Sequence, residues 1–292
     1  MKDKEIISLV RLLEDTDAQV SGIVSKKLLE KGIDAIPDLE KAWENTLNSG
    51  LQFRIEEIVH EIQFNSTKKD LIHWINNDSD SLLYGAFLVA KYQYPDLQYS
   101  DIENEIEQIR RAVWVELHEN LTALEKIRII NHIFFAVYNF TGNASNFYSP
   151  GNSYINQVLE TKKGNPITLS LIYAVVAQKL DLPVFGVNLP LNYILAYELH
   201  SYLEDPDGIL FYINPYNNGN VLSRKEIDFF LNEQKMEPKT EYYKPCSNLV
   251  TIERMLRNLQ FSFEKMGQTN KANEIAELLN IFKDKKNNSG MM

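Results

Sequence analysis

Residues 165 to 181 read NPITLSLIYAVVAQKLD, and this stretch restricts the fold more than any other part of the chain. Asparagine before proline is a strong helix start. The Asn165 side chain can accept from the free amides of the first turn, and Pro166 at the first helical position sacrifices no hydrogen bond. The residues after Pro166 are almost wholly apolar, so the helix has no face to offer solvent and belongs at the centre of a core. Three short runs come next, PVFGVN, NYILAYEL and ILFYIN, rich in β-branched and aromatic residues and bounded by Pro, Gly, Asp and Asn. They predict an antiparallel sheet packed on that helix. The class expected is therefore α+β and mostly helical.

Upstream, the sequence is a series of helical periods. Ile6, Leu9, Val10 and Leu13 recur at helix spacing, as do Val20, Ile23, Val24 and Leu28, and again Ile55, Ile58, Val59 and Ile62. The unit LLEDTDAQVSGIVSKKLLEKGIDAIPDLEKAW, with an acidic turn at Asp15 and Asp17 and then Gly32 and Pro37, resembles one HEAT-type repeat; plain helical packing accounts for it equally well. A fainter second copy surrounds INNDSDSLLYGAFLVAKY. The Pro/Asp/Tyr break YQYPDLQYSD ends this module, and a capping-box pattern at Thr122 and Glu125 opens a later helix. Between Phe140 and Asn165 the chain is dense in Asn, Ser, Gly and Tyr, which predicts an ordered loop braced by side chains. Ser223 with Glu226 marks a further capped helix, and Leu259, Phe263, Gly267 and Ala272 are spaced as in a tetratricopeptide-like hairpin. The domains expected are a helical module over 1–95, an α+β domain over 96–246, a helical hairpin over 247–283 and a disordered tail over 284–292.

Length, charge and cysteine count narrow the function classes. At about 150 residues per domain, a chain of 292 residues has room for two substantial cores. The net charge of −10, without a long basic block, argues against nucleic acid as a partner. LLYGAFLVA, from Leu82 to Ala90, is far short of the roughly 18 residues of a membrane span. The single Cys246 cannot close an internal disulfide, and MKDKEIISLV lacks a secretory signal, so the cytoplasm is the expected compartment. No phosphate-binding Gly loop, zinc-ligand spacing or Gly-x-Ser-x-Gly elbow occurs, and no cofactor or metal is expected.

The motifs NSYINQVLE, KKGNPITLSLIY and INPYNNG, taken with the helix and strands that carry them, resemble the transglutaminase-like superfamily over about Tyr99 to Asn258, most closely its bacterial SirB-type branch. The resemblance implies a Cys at the start of the central helix, a His on the next strand region and an Asp on the strand after. A thiol at a helix N-terminus is activated by the free amides and the helix dipole, with the His as base and the carboxylate orienting it. The positions matching that triad here are Pro166, Asn192 and Asn214. LPLNY stands where relatives carry Leu-Pro-x-His-Phe, and INPYNNG where they carry Ile-Asp-Pro-Phe-Asn-Gly. Thr168 and Ser170 are the hydroxyls nearest the helix start. His200 lies about 26 Å from Asn192 if that run stays extended at ~3.3 Å per residue. His60, His73, His118 and His132 read as solvated or packed helix residues, and Cys246 as an incidental thiol in a linker.

Enzymatic activity is thus uncertain and leans against. Asn143, Asn146, Asn152, Asn165, Asn192, Asn214, Asn217 and Asn218 admit two readings: caps and turn braces, or a neutral pocket of donors and acceptors in the degenerate cleft, with Tyr148, Tyr154 and Tyr193 adding stacking and hydroxyl groups. Three functions are open on these observations. The first is a non-catalytic protein binding a peptide, protein or small polar ligand in that cleft. The second is a hydrolase or acyl transferase with an unrecognised nucleophile such as Thr168 or Ser170, and the third a structural adaptor acting through its helical ends.

Overall fold

The computed structural model describes residues 2–13, 17–199 and 208–289. Asp15, His200 and the last three residues lie outside them. Two compact units divide at His73 and Trp74.

The first unit holds four helices, α1 (Lys2–Leu12), α2 (Ala18–Lys31), α3 (Ile36–Asn45) and α4 (Ser49–His73). Asp17 caps α2 by accepting from the amide of Gln19. Gly32 ends α2 at φ 64°, a left-handed conformation that favours glycine, and its amide closes on Leu28 and Leu29. The periodic stripes meet in one core: Ile6, Leu9, Val10 and Leu13 pack with Val24, Leu28, Leu39, Ile55, Ile58 and Ile62. Ile23, expected in that stripe, is instead exposed. It comes after Gly22 on the outer side of α2, next to the buried Val24, so the apolar face is one residue narrower than the pattern implied.

The second unit surrounds α9 (Pro166–Gln178), whose residues from Ile167 to Ala177 are all buried. Before it come α5 (Leu82–Lys91), α6 (Tyr99–Glu116), α7 (Ala123–Asn131) and α8 (Ile155–Thr161), with a minimal parallel pair of β1 (Thr141–Gly142) and β2 (Lys163–Gly164). After it comes an antiparallel sheet in sequential order, β3 (Val184–Val187), β4 (Ile194–Glu198), β5 (Ile209–Asn214) and β6 (Asn220–Leu222). The sheet packs on α9 through β3 and β4. The α+β class and the helix-on-sheet arrangement are as the sequence predicts. The capping boxes at Thr122 with Glu125 and at Ser223 with Glu226 are formed in full.

Three helices complete the second unit: α10 (Arg224–Glu233), α11 (Asn248–Lys265) and α12 (Thr269–Ser289). The compact units divide some twenty residues before the expected break near residue 95, because the apolar α5 packs against α8, α9 and α11. The stretch from 234 to 247 is no loose linker: Tyr243 is buried against the sheet and donates to Asp228. α12 runs past the expected boundary at residue 284 as far as Ser289, and Leu279 and Phe282 are buried earlier along it.

Candidate functional site

The N-terminus of α9 is built as its sequence demands, and its polar groups are fully engaged. Asn165 Oδ1 accepts from the Thr168 amide at 3.0 Å and from Thr168 Oγ1 at 3.1 Å, while Nδ2 donates to Ser153 Oγ at 2.9 Å. Asn152 is buried behind it. Its Nδ2 donates to the carbonyls of Asn146 and Phe147, and its Oδ1 accepts from Asn143. One amide holds the helix start and another holds the loop in front of it. The bonds clamp residues 143–149 so that Phe147 and Tyr148 stand exposed beside Pro166.

The segment between β3 and β4 forms the next wall. Leu191 takes φ 59°, a turn that leaves its side chain 70% exposed, and Asn192 Oδ1 accepts from the next amide, that of Tyr193. Tyr193 turns inward. Its hydroxyl shares a 2.7 Å hydrogen bond with Thr251 Oγ1 and lies 3.5 Å from Cys246 Sγ, and burial, reinforced by the neighbouring thiol, pushes the phenol well above its usual pKa. The hydroxyl lies over Gly186 in β3, where an added Cβ would fall 1.8 Å from it. Glycine is thus required for close approach. Cys246 itself is tied in by its amide, which donates to the Gly186 carbonyl at 2.8 Å.

The third wall is α11, started by Ser247 accepting from the Val250 amide. Arg254, Asn258 and Phe261 succeed one another along one face. Arg254 Nη1 donates to the Leu189 carbonyl at 2.7 Å and to Asn188 Oδ1, and its guanidinium stands 5.7 Å from the Tyr193 ring centre. Burial pulls its pKa below the ordinary guanidinium range, with Tyr193 and Cys246 opposing that pull; it remains a cation at neutral pH. Two cavities meet at this residue. One, of about 310 Å3, is bounded by Pro166, Asn192, Arg254, Asn258 and the exposed rings of Tyr148 and Phe261. The other, of about 820 Å3, is bounded by Asn188, Lys244, Cys246, Glu253, Arg254 and Arg257. Tyr148 packs edge-on to Phe147 at 5.3 Å and to Phe261 at 5.7 Å, which makes a continuous aromatic rim.

Of the residues singled out in the sequence, Tyr148, Asn165, Pro166, Asn192 and Tyr193 come together on the smaller cavity. The others do not line it. Asn143 and Asn152 brace the loop, and Asn214 Oδ1 caps the turn at Pro215–Asn217 by accepting from the amide of Asn217, itself exposed. Tyr154 is a core residue packed against Tyr94, and its hydroxyl has no hydrogen-bond partner among the described residues. Thr168 and Ser170 are 0% exposed, with Ser170 Oγ donating to the Tyr193 carbonyl. Neither hydroxyl can reach a substrate. His60, His73, His118 and His132 are exposed and line neither of these two cavities.

Sequence reasoning missed the α11 wall. Arg254, Asn258 and Phe261 stand at i, i+4 and i+7, a helical stripe of polar and aromatic residues beside the apolar one; that was the available signal. Among the described residues no group of three His, Cys, Asp or Glu is placed to hold a metal ion, and no helix is long and apolar enough to cross a membrane.

The chain is similar to the UPF0162 protein of Xylella fastidiosa (strain 9a5c), with 26% identity over 214 residues that cover 70% of this chain and 72% of that protein. Similarity to the UPF0162 protein YchA of Escherichia coli (strain K12) is 25% over 202 residues, covering 68% of this chain and 72% of the relative. A more distant kind of relative is F-box only protein 21 of Mus musculus, 26% identical over 188 residues, which are 54% of this chain and 29% of that one. No solved structure gives a significant match. The profile of the transglutaminase-like superfamily matches residues 100–257, a span that takes in α9, the four-stranded sheet and the Arg254 turn of α11, and on that match over more than half its length the chain belongs to the transglutaminase-like superfamily.

Proposed function

We propose that the chain is a non-catalytic member of the superfamily, from the bacterial SirB-type branch, that binds a peptide or small polar ligand in the cleft between α9, the 188–193 segment and α11. The similarity to UPF0162 proteins supports the branch. One observation carries the binding reading: Pro166 and Asn192, which match two of the triad positions, open onto the same cavity as Arg254, Asn258 and an exposed aromatic rim. Pro166 offers no nucleophile, Asn192 no proton acceptor near neutral pH, and the hydroxyls behind them are sealed in the core. What the cleft retains is recognition chemistry. Asn192 Nδ2 and the Asn258 amide have no hydrogen-bond partner among the described residues, and exposed rings offer stacking surface at small entropic cost. The single cysteine supports a cytoplasmic setting.

The test is binding of a pool of short peptides, read by saturation-transfer NMR, to the native chain and to Tyr148→Ala and Phe261→Ala. Both rings are about half exposed, so truncation leaves the fold intact. Loss of peptide signal in both variants is the expected result. Equal signal in all three proteins, or none in the native chain, would sink the cleft reading.

A second reading, an adaptor working through its helices, is favoured by the exposed Trp43, Leu47 and Phe53 in the first unit. It predicts that Trp43→Ala, not Tyr148→Ala, abolishes capture of a partner protein.

A further inference from the structure

Arg254 is a half-buried cation whose charge no side chain among the described residues neutralises. No carboxylate pairs with it there, although the chain carries a net charge of −10 and acids are plentiful elsewhere. Only Nη1 is hydrogen-bonded, to the neutral Asn188 side chain and the Leu189 carbonyl, and the guanidinium otherwise faces the uncharged Tyr193 ring at 5.7 Å. The described residues around the smaller cavity include no acid at all. Two acids line the larger one, Glu241 and Glu253; Glu253 is held by Arg257 at 2.7 Å, and neither pairs with Arg254. Burying a charge without a counter-ion is unfavourable, and a structural role needing only two neutral acceptors would be met by a less costly donor.

Guanidinium differs from other donors in geometry. Its planar fork can hold one face of the group against the 188–189 segment and present the remaining N–H groups, in one plane, to a carboxylate. Asn192 and Asn258 offer neutral donors on the same cavity, and Tyr148 and Phe261 offer apolar surface beside it. Charged and apolar features thus line one small cavity.

We infer that Arg254 is the anchor of a carboxylate subsite, and that the ligand of this cleft carries a carboxylate next to an aromatic or large apolar side chain. Such a carboxylate belongs either to a peptide C-terminus or to an acidic side chain. This rests on the cleft reading above, and adds to it the charge and shape of what is bound.

The experiment uses the full chain and three probes: N-acetyl-Ala-Phe as the free acid, the same dipeptide as its amide, and N-acetyl-Phe-Glu-amide, with affinities measured by titration calorimetry. The free acid is expected to bind at least about ten-fold more tightly than its amide, as a charge-assisted, bidentate bond replaces a neutral one. Preference for the Glu probe over both would assign the subsite to an acidic side chain; preference for the free acid assigns it to a chain end. Arg254→Gln should erase the difference between acid and amide. If loss of the 188–189 contacts unfolds that variant, Arg254→Lys keeps the charge without the fork and should shrink the difference several-fold. Arg257→Gln should leave the difference unchanged, because Arg257 already serves Glu253. Acid and amide binding equally would overturn the carboxylate subsite and leave the cleft reading standing, whereas no binding of any probe would remove both. A difference that vanishes in Arg257→Gln but persists in Arg254→Gln would also overturn the assignment.

Discussion

The α9 side and the α11 side of the cleft are both lined by polar residues, yet they do opposite things with them. On the α9 side, Asn165 uses both ends of its amide, Asn152 is held by three partners, and Thr168 and Ser170 are sealed in. On the α11 side, among the described residues, Arg254 has hydrogen-bonded one nitrogen and Asn258 neither end of its amide. The first wall is a scaffold, and the second, on the function proposed above, is the surface for recognition. Buried amides in a loop-rich segment satisfy the backbone first, because each orphaned group there costs about 1–3 kcal/mol. Only groups placed by a rigid helix whose own backbone is satisfied are left over for a ligand.

That contrast can be broken most sharply at Asn165. Asn165→Ala removes the cap and orphans Ser153 and Thr168, so a loss of about 2–4 kcal/mol is expected in urea denaturation. Asn165→Asp keeps the acceptor but loses the donor to Ser153, and should recover only part of that. A loss below about 1 kcal/mol for the Ala variant would show the α9 wall is not the rigid partner.

Gly186→Ala is the next largest effect. The added methyl collides with the Tyr193 hydroxyl, whose ring cannot withdraw without breaking its bond to Thr251, so overpacking of about 1–3 kcal/mol is expected in the same assay. Full stability in this variant would mean that Tyr193 is free to move, and that the 188–193 wall is soft.

Asn192 and Asn214, the two asparagines that the resemblance places at triad positions, should separate cleanly. Asn214 caps a turn away from the cavity, and its change to Ala should cost about 1 kcal/mol of stability with no change in peptide affinity. Asn192→Ala should do the reverse, leaving stability within about 0.5 kcal/mol and weakening peptide binding about five-fold, the value of one net hydrogen bond. Parallel behaviour of the two variants would erase the distinction between scaffold and recognition groups.

The smallest effect concerns acid. Hydrogen bonds from the Ser223 backbone and hydroxyl hold the Glu226 carboxylate below its ordinary pKa, as those of Thr122 do for Glu125. A lowered folded-state value means the contribution is fully present above the unfolded pKa of about 4.3 and is lost as pH falls through the folded one. Glu226→Gln keeps a capping-box acceptor without the titration, so its stability curve should be flatter than the native one below that point, as read by thermal melts across pH. Identical slopes would show that the box does not persist in solution.

Much of the framework was legible because it is local. Asn165 and Pro166 announce a helix start, Thr122 with Glu125 and Ser223 with Glu226 announce two more, and an all-apolar helix has to be central. The strands declare themselves by composition and by the turns between them. Harder to read was the role of each asparagine, since an amide has the same letter whether it caps a helix, braces a loop or faces a cavity. Asn152 and Asn192 differ only in what surrounds them. The end of α12 at Ser289 was not legible for a related reason: its last residues are polar, and the buried Leu279 and Phe282 stand several residues earlier.

By itself the sequence determined the class, the central helix and its caps. Those depend on short-range rules, each involving residues within a turn or two of one another. Only the tertiary structure decided that α11 walls the cleft and that Cys246 lies beneath Tyr193. It also left Arg254, among the described residues, without a counter-ion at the meeting of two cavities. Gly186 and Cys246 are joined by a hydrogen bond although β4 to β6 and α10 lie between them in the sequence, and no periodicity records such a contact. Periodicity places a residue on a helix face, but which neighbour that face meets depends on packing summed over the whole unit.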